Sequence, residues 1–162
     1  MTNTNILKLK TSGGYMSCSV TRWQDGTTAQ VAHLQKNLLT NNGRDVFHAL
    51  CYTNTSAGTR GFGYVAVTTD TTAPSASDTS LAQELAASGF TRADATTKTH
   101  SAGTNSSTIE HTFTASGTVN SIVKSGTFNN ASSTVLGHEA TFTSASLISG
   151  DTLKITWTLN LG

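Results

Sequence analysis

The chain has 162 residues, a net charge of +1 and only 12% charged residues, while 31 Thr and 19 Ser put a small hydroxyl at 50 of its 162 positions. Ordinary domains carry roughly 25% charge, and the near-neutral balance here leaves no electrostatic footprint for nucleic acid or an anionic membrane. A charge-poor surface favours association, which fits a component of an assembly better than a freely diffusing enzyme.

In chain order, Met1-Thr2-Asn3-Thr4-Asn5 is polar and no basic stretch leads into an apolar one, so no signal peptide is expected. The apolar runs stay far below the ~20 residues that span a bilayer. Short strands are expected over 6–10 and 15–22. The first 35 residues differ in texture from the rest, with Lys8, Lys10, Arg22 and Trp23. Residues 1–35 read as an N-terminal arm or extra strands, and residues 36–162 as the main domain. Val46, Phe47 and Leu50 have helical spacing after Asn41-Asn42, so a short helix is expected over 43–50. A strand follows over 62–67. A second helix is expected over 79–87, where Asp78 supplies an N-cap, Leu81 and Leu85 share a face and Gly89 stops the run.

Further strands are expected over 91–99, 108–115, 119–125 and 135–142. The clearest is 152–161, where Leu153, Ile155, Trp157, Leu159 and Leu161 alternate with Thr152, Lys154, Thr156, Thr158 and Asn160. Side chains in a strand point to opposite faces in turn, so this segment has one apolar and one hydroxyl-rich face. Gly, Asn, Ser and Thr clusters separate the strands, including 11–14, 54–61, 103–107, 129–133 and 144–150. About eight strands with such punctuation describe an all-β fold, a β-sandwich (jelly-roll-like) or a barrel, with one or two short helices.

Chemistry is sparse. His33, His48, His100, His111 and His138 lie at no metal-ligand spacing. The carboxylates Asp25, Asp45, Asp70, Asp78, Glu84, Asp94, Glu110, Glu139 and Asp151 form no paired acid–base motif. No GxSxG or phosphate loop occurs, and Gly61-Phe62-Gly63 lacks the third glycine of a dinucleotide fingerprint. Cys18 and Cys51 read as two small core thiols or as one disulfide. Arg22 beside Trp23, and Arg60 ahead of Phe62 and Tyr64, suit core packing or an inter-subunit contact. No catalytic, cofactor or metal residue is expected, and no enzyme.

From Leu38 onward the segments run in a familiar order. Leu38-Leu39-Thr40-Asn41-Asn42-Gly43-Arg44-Asp45 is similar to an LVTNxGKD opening. Residues 64–84, from Tyr64-Val65-Ala66-Val67 through Ala73-Pro74 to Asp78-Thr79-Ser80-Leu81 and Glu84, match YIALGTGTTAPxxTDTALxxE. Arg92-Ala93-Asp94-Ala95-Thr96 matches RAxAT, and Phe113-Thr114-Ala115-Ser116 matches a Thr-rich FTAT strand. Residues 124–142 match EAGLFNAASGGTxxxRxxF, and 149–161 are nearly SGDTLTVTWTLNL. Together these resemble a widespread family of tailed-bacteriophage virion structural proteins over about 125 of the 162 residues. The chain departs where the family's Glu stands at Lys124 and its Ala at Ser125, and where GTGTT becomes Thr68-Thr69-Asp70-Thr71-Thr72; these changes bear on surface charge.

The resemblance implies a β-rich, non-enzymatic particle component without a cofactor. Within such particles, the small size, the charge-poor β-fold and the distinct N-terminal segment favour a capsid decoration (cement) protein on the outer surface of the assembled head. Its partners would be the major capsid protein and itself, as a homo-oligomeric trimer, with neither nucleic acid nor membrane bound. The alternatives are a tail, collar or fibre-base component, or a glycan-binding host-attachment module using Trp23, Tyr15 and Tyr52.

Overall fold

The computed structural model describes residues 14–36, 38–43, 61–100, 106–132 and 134–160. Strands β1 (Tyr15–Thr21), β2 (Thr28–Lys36) and β3 (Leu38–Leu39) come first. Next are β4 (Tyr64–Thr68), β5 (Ala93–Asp94) and β6 (Thr97–His100). The long strands β7 (Ser106–Thr114), β8 (Val119–Phe128), β9 (Leu136–Leu147) and β10 (Thr152–Asn160) complete the order. They form two antiparallel five-stranded sheets, β2-β1-β10-β7-β6 and β3-β9-β8-β4-β5. The two sheets enclose one core, so the all-β expectation takes the form of a β-sandwich.

Period-two alternation builds the first sheet. Leu153, Ile155 and Trp157 of β10 are fully buried, opposite Val20, Cys18 and Met16 of β1 and Phe113, His111 and Ile109 of β7. From the second sheet Val65, Val67, Ile122, Phe142 and Leu147 meet them in the same cluster. Threonines and serines take the alternate, solvent-side positions. Thr21 and Thr28, for instance, pair across β1 and β2 and join their hydroxyls at 2.9 Å.

Strands β1 and β2 belong to the first sheet. β1 lies between β2 and β10, and Met16, Cys18, Val20 and Ala32 belong to the main core. The expected strand at 6–10 lies outside the described residues, as does most of the expected helix at 43–50, although the backbone is helical at 41–43.

The helix expected over 79–87 is not formed. Leu81 packs with Ala66, Phe128 and Leu136, whereas Leu85 packs against the main core, so their four-residue spacing serves two different clusters. Gln83 takes φ 52° between them, which breaks any helical run. The backbone bonds outward instead: Leu85 donates to Val67 at 3.0 Å, and Glu84 bridges Thr68. Residues 69–82 thus become a strap across the outer face of the second sheet. Leu136 donates to Thr79 at 3.2 Å and Asn41 to Ala76 at 2.8 Å, tying the strap down.

Coverage from both sides changes what the second sheet contains. Every residue from Lys124 to Phe128 is buried. A register shift between Ile122 and Lys124 lets Ile122 face the main core while Lys124 faces the strap. At Gly137 a Cβ would come within 2.4 Å of the Phe62 ring, so only glycine lets that ring close against β9.

Candidate functional site

Two constructions stand out from this frame: a hairpin bearing an exposed tryptophan, held by a buried aspartate, and a set of charges beneath the strap.

The first is built by the β1–β2 hairpin and the β9–β10 turn. Gly26, at φ +68°, closes the hairpin by donating to Arg22 O at 2.9 Å. Asp25 accepts the Thr27 N–H at 2.9 Å and its hydroxyl at 2.7 Å, a local turn of the kind Asp favours. That bonding, led by the Thr27 N–H, holds the Asp25 carboxyl below its usual range. Asp151 is fully buried and collects three donors: Trp23 N at 3.0 Å, Arg22 Nη1 at 2.5 Å and Ile148 N at 3.1 Å. These donors, the Trp23 N–H foremost, keep its carboxyl below the ordinary value. Arg22 also donates to Ser146 O at 3.1 Å, so one guanidinium fastens the hairpin to both sides of the turn.

The fastening presents Trp23 outward, 75% exposed, close to Ile148 at 41%. The Trp23 side chain lies against Gly150, where φ is +92° and an added Cβ would fall 2.7 Å from Cγ of Trp23. Trp23 therefore does not join the core. An aromatic anchor fixed by its own backbone loses little freedom on binding, the usual property of an interface hot spot.

The second construction is internal. Lys124, 2% exposed, donates to Asp70 Oδ2 at 2.7 Å and stands 3.9 Å from Glu139 Oε2. Asp70 also accepts the Thr72 hydroxyl at 2.9 Å, and these bonds, Lys124 first, hold its carboxyl below the usual range. Ser75 N donates to both Asp78 Oδ2 and Glu139 Oε1, each at 2.9 Å. Glu139 is 1% exposed. Burial, and then its hydrogen bond to Asp78, push its carboxyl up to about 7. Nearby, Arg92 grips Glu84 with two bonds of 2.9 and 2.5 Å while its guanidinium lies 3.4 Å from the centre of the Phe128 ring.

The histidines remain apart. His100 bonds Ser106 O at 2.9 Å on the outer strand β6, and His111 stacks edgewise on Phe113 at 4.5 Å. His138 meets Thr127 at 3.0 Å and Trp157 at 6.2 Å between ring centres, and burial depresses it to about 4. Cys18 is a free thiol in the core, pushed up to about 12 by burial. His48, Cys51, Tyr52 and Arg60, and the side chains of Tyr15 and His33, lie outside the described residues. Among the described residues, no group of three or more His, Cys, Asp or Glu side chains could hold a metal ion, and no helix is long and apolar enough to cross a membrane.

Sequence reasoning placed Asp151 in a turn and found Trp23, but it missed the charges under the strap. Their signal was the pair of departures at Asp70 and Lys124, read as surface changes. Both side chains are buried and they bond to each other. No family of known proteins, no curated protein and no solved structure matches the chain.

Proposed function

We propose that the chain is a non-enzymatic structural protein of a tailed-phage virion, a capsid decoration protein that docks on the outside of the assembled head. The observation that carries this reading is where the motif residues sit. Asp151 of the SGDTL segment fastens the hairpin, Glu84 and Arg92 of two successive motifs grip each other, and Trp157 fills the core. The two departures compensate: where the family pattern has Gly and Glu, this chain has Asp70 and Lys124, 2.7 Å apart. A pattern whose exceptions pair in space behaves as one fold's signature.

Docking by the Trp23–Ile148 end suits such a role, because an exposed anchor on a charge-poor protein can fill an apolar pocket on a shell. Modest contacts then gain strength by repetition over a trimer on a threefold axis. Purified chain added to undecorated heads should bind saturably and in fixed stoichiometry; binding to purified tails alone would favour the tail or collar reading. The exposure of Trp23 also favours a glycan-binding alternative, since an indole can stack on a pyranose. Binding on a glycan array with none on heads would establish that reading instead.

A further inference from the structure

We propose that residues 69–82 form a strap latched by a proton shared between Glu139 and Asp78, and that losing this proton as the pH rises through neutrality lifts the strap and uncovers the apolar cluster beneath. This inference is independent of the virion reading.

Among the described residues, the geometry leaves one charge too many for the donors. Beneath the strap, Ser75 supplies a single backbone N–H that both carboxyls share at 2.9 Å. The cation facing them, Lys124, sits on Asp70 at 2.7 Å and reaches Glu139 only at 3.9 Å. Around Glu139 the charged groups of the described elements are Asp70 and Asp78 from the strap and Lys124 from β8. On its own strand His138 turns the other way, to Thr127 and Trp157, and Arg92 is engaged with Glu84 over Phe128. A protonated Glu139 donates to Asp78 and closes the latch. An ionised one places a second carboxylate beside the ammonium that already holds Asp70, and faces Asp78 across the shared Ser75 N–H in a part-buried site, so the repulsion acts on Asp78, which belongs to the strap. The pull of burial on Glu139, up to about 7, sets this change near neutral pH.

Opposing release are apolar and backbone holds. Leu81 packs with Ala66, Phe128 and Leu136, and the Thr68 hydroxyl bonds Ala82 O. Opening is therefore local, confined to the strap, with the main core unaffected. What it exposes is the Leu81, Phe128 and Leu136 surface, with Tyr64 at its margin.

Hydrogen exchange of the full chain at pH 5.5 and 8.5, corrected for intrinsic rates, tests this directly. Amides of residues 69–82 should lose at least tenfold protection at the higher pH, while β10 keeps its own. Glu139→Gln and, separately, Asp78→Asn should retain the protection at pH 8.5, each having removed one of the facing charges. Leu81→Ala should loosen the strap at both pH values and preserve the step. Equal strap protection at both pH values in the wild-type chain would overturn the proposal. So would an unchanged step in whichever of the two latch variants folds.

Discussion

The two sheets share a core but differ in what lies on their outer faces. The first sheet shows solvent its threonines and serines, with Lys154 and Glu110 paired at 3.0 Å among them. The second has part of its outer face covered by residues 69–82 and is buried on both sides from Lys124 to Phe128, while Thr141, Thr143 and Ser146 of β9 stay exposed. A sheet with one wet face obeys alternation and tolerates change there. Where a sheet has two dry faces it must settle each polar group it contains, and this one does so through Lys124, Asp70, Glu139 and Asp78.

The largest expected effect concerns the core that both sheets share. Trp157→Ala removes a fully buried indole and should cost about 3–5 kcal/mol in denaturant unfolding. Thr112→Ala, on the wet face of β7, should stay within about 0.5 kcal/mol. Comparable losses at both positions would break the distinction between dry and wet faces.

Next in size is the hairpin fastening. Asp151→Ala strips the partner from three donors and should cost about 2 kcal/mol, with faster exchange at Trp23 and Ile148. Unchanged stability would mean that the hairpin is held by its own turn.

A smaller, sharper effect compares two adjacent residues of β9. His138 is neutral in the fold and charged when unfolded between about 4 and its usual 6.5, so its contribution to stability rises with pH there. Glu139 keeps its proton in the fold up to about 7 but loses it from 4.5 when unfolded, so its contribution falls with pH. Between pH 4.5 and 6.5 the two slopes oppose each other. Glu139→Gln leaves His138 alone, and the difference between variant and wild-type unfolding free energy should grow with pH by at most about 1.4 kcal/mol per unit. A difference that does not change over that range would show that Glu139 is ionised in the fold.

The same contrast explains what could be read in the sequence. β10 was legible because Leu153, Ile155 and Trp157 face a dry core while Thr152, Lys154 and Thr156 take the opposite, wetter face. β2 was missed: its partner register slips around Cys18, and among the described side chains both Ala32 and its neighbour Val31 pack on the core, which hides the alternation. The supposed helix at 79–87 failed because Leu81 and Leu85 have spacing that fits a helix yet serve separate clusters. The candidate site divided likewise. Asp151 could be placed in its turn by its neighbours, but its bonds to Arg22 and Trp23 join residues well over a hundred positions apart. Lys124 looked like surface because charge is ordinarily wet, and only the strap makes it dry.

The direct test of the docking claim is to titrate wild-type chain and Trp23→Ala against undecorated heads, with Thr112→Ala as the wet-face control. Trp23 is largely exposed, so its removal should leave the unfolding midpoint unchanged. The account predicts saturable binding that Trp23→Ala weakens at least tenfold, about 1.4 kcal/mol, and that Thr112→Ala leaves intact. Binding lost with Thr112→Ala and kept with Trp23→Ala, or no binding to heads by any of the three, would contradict it.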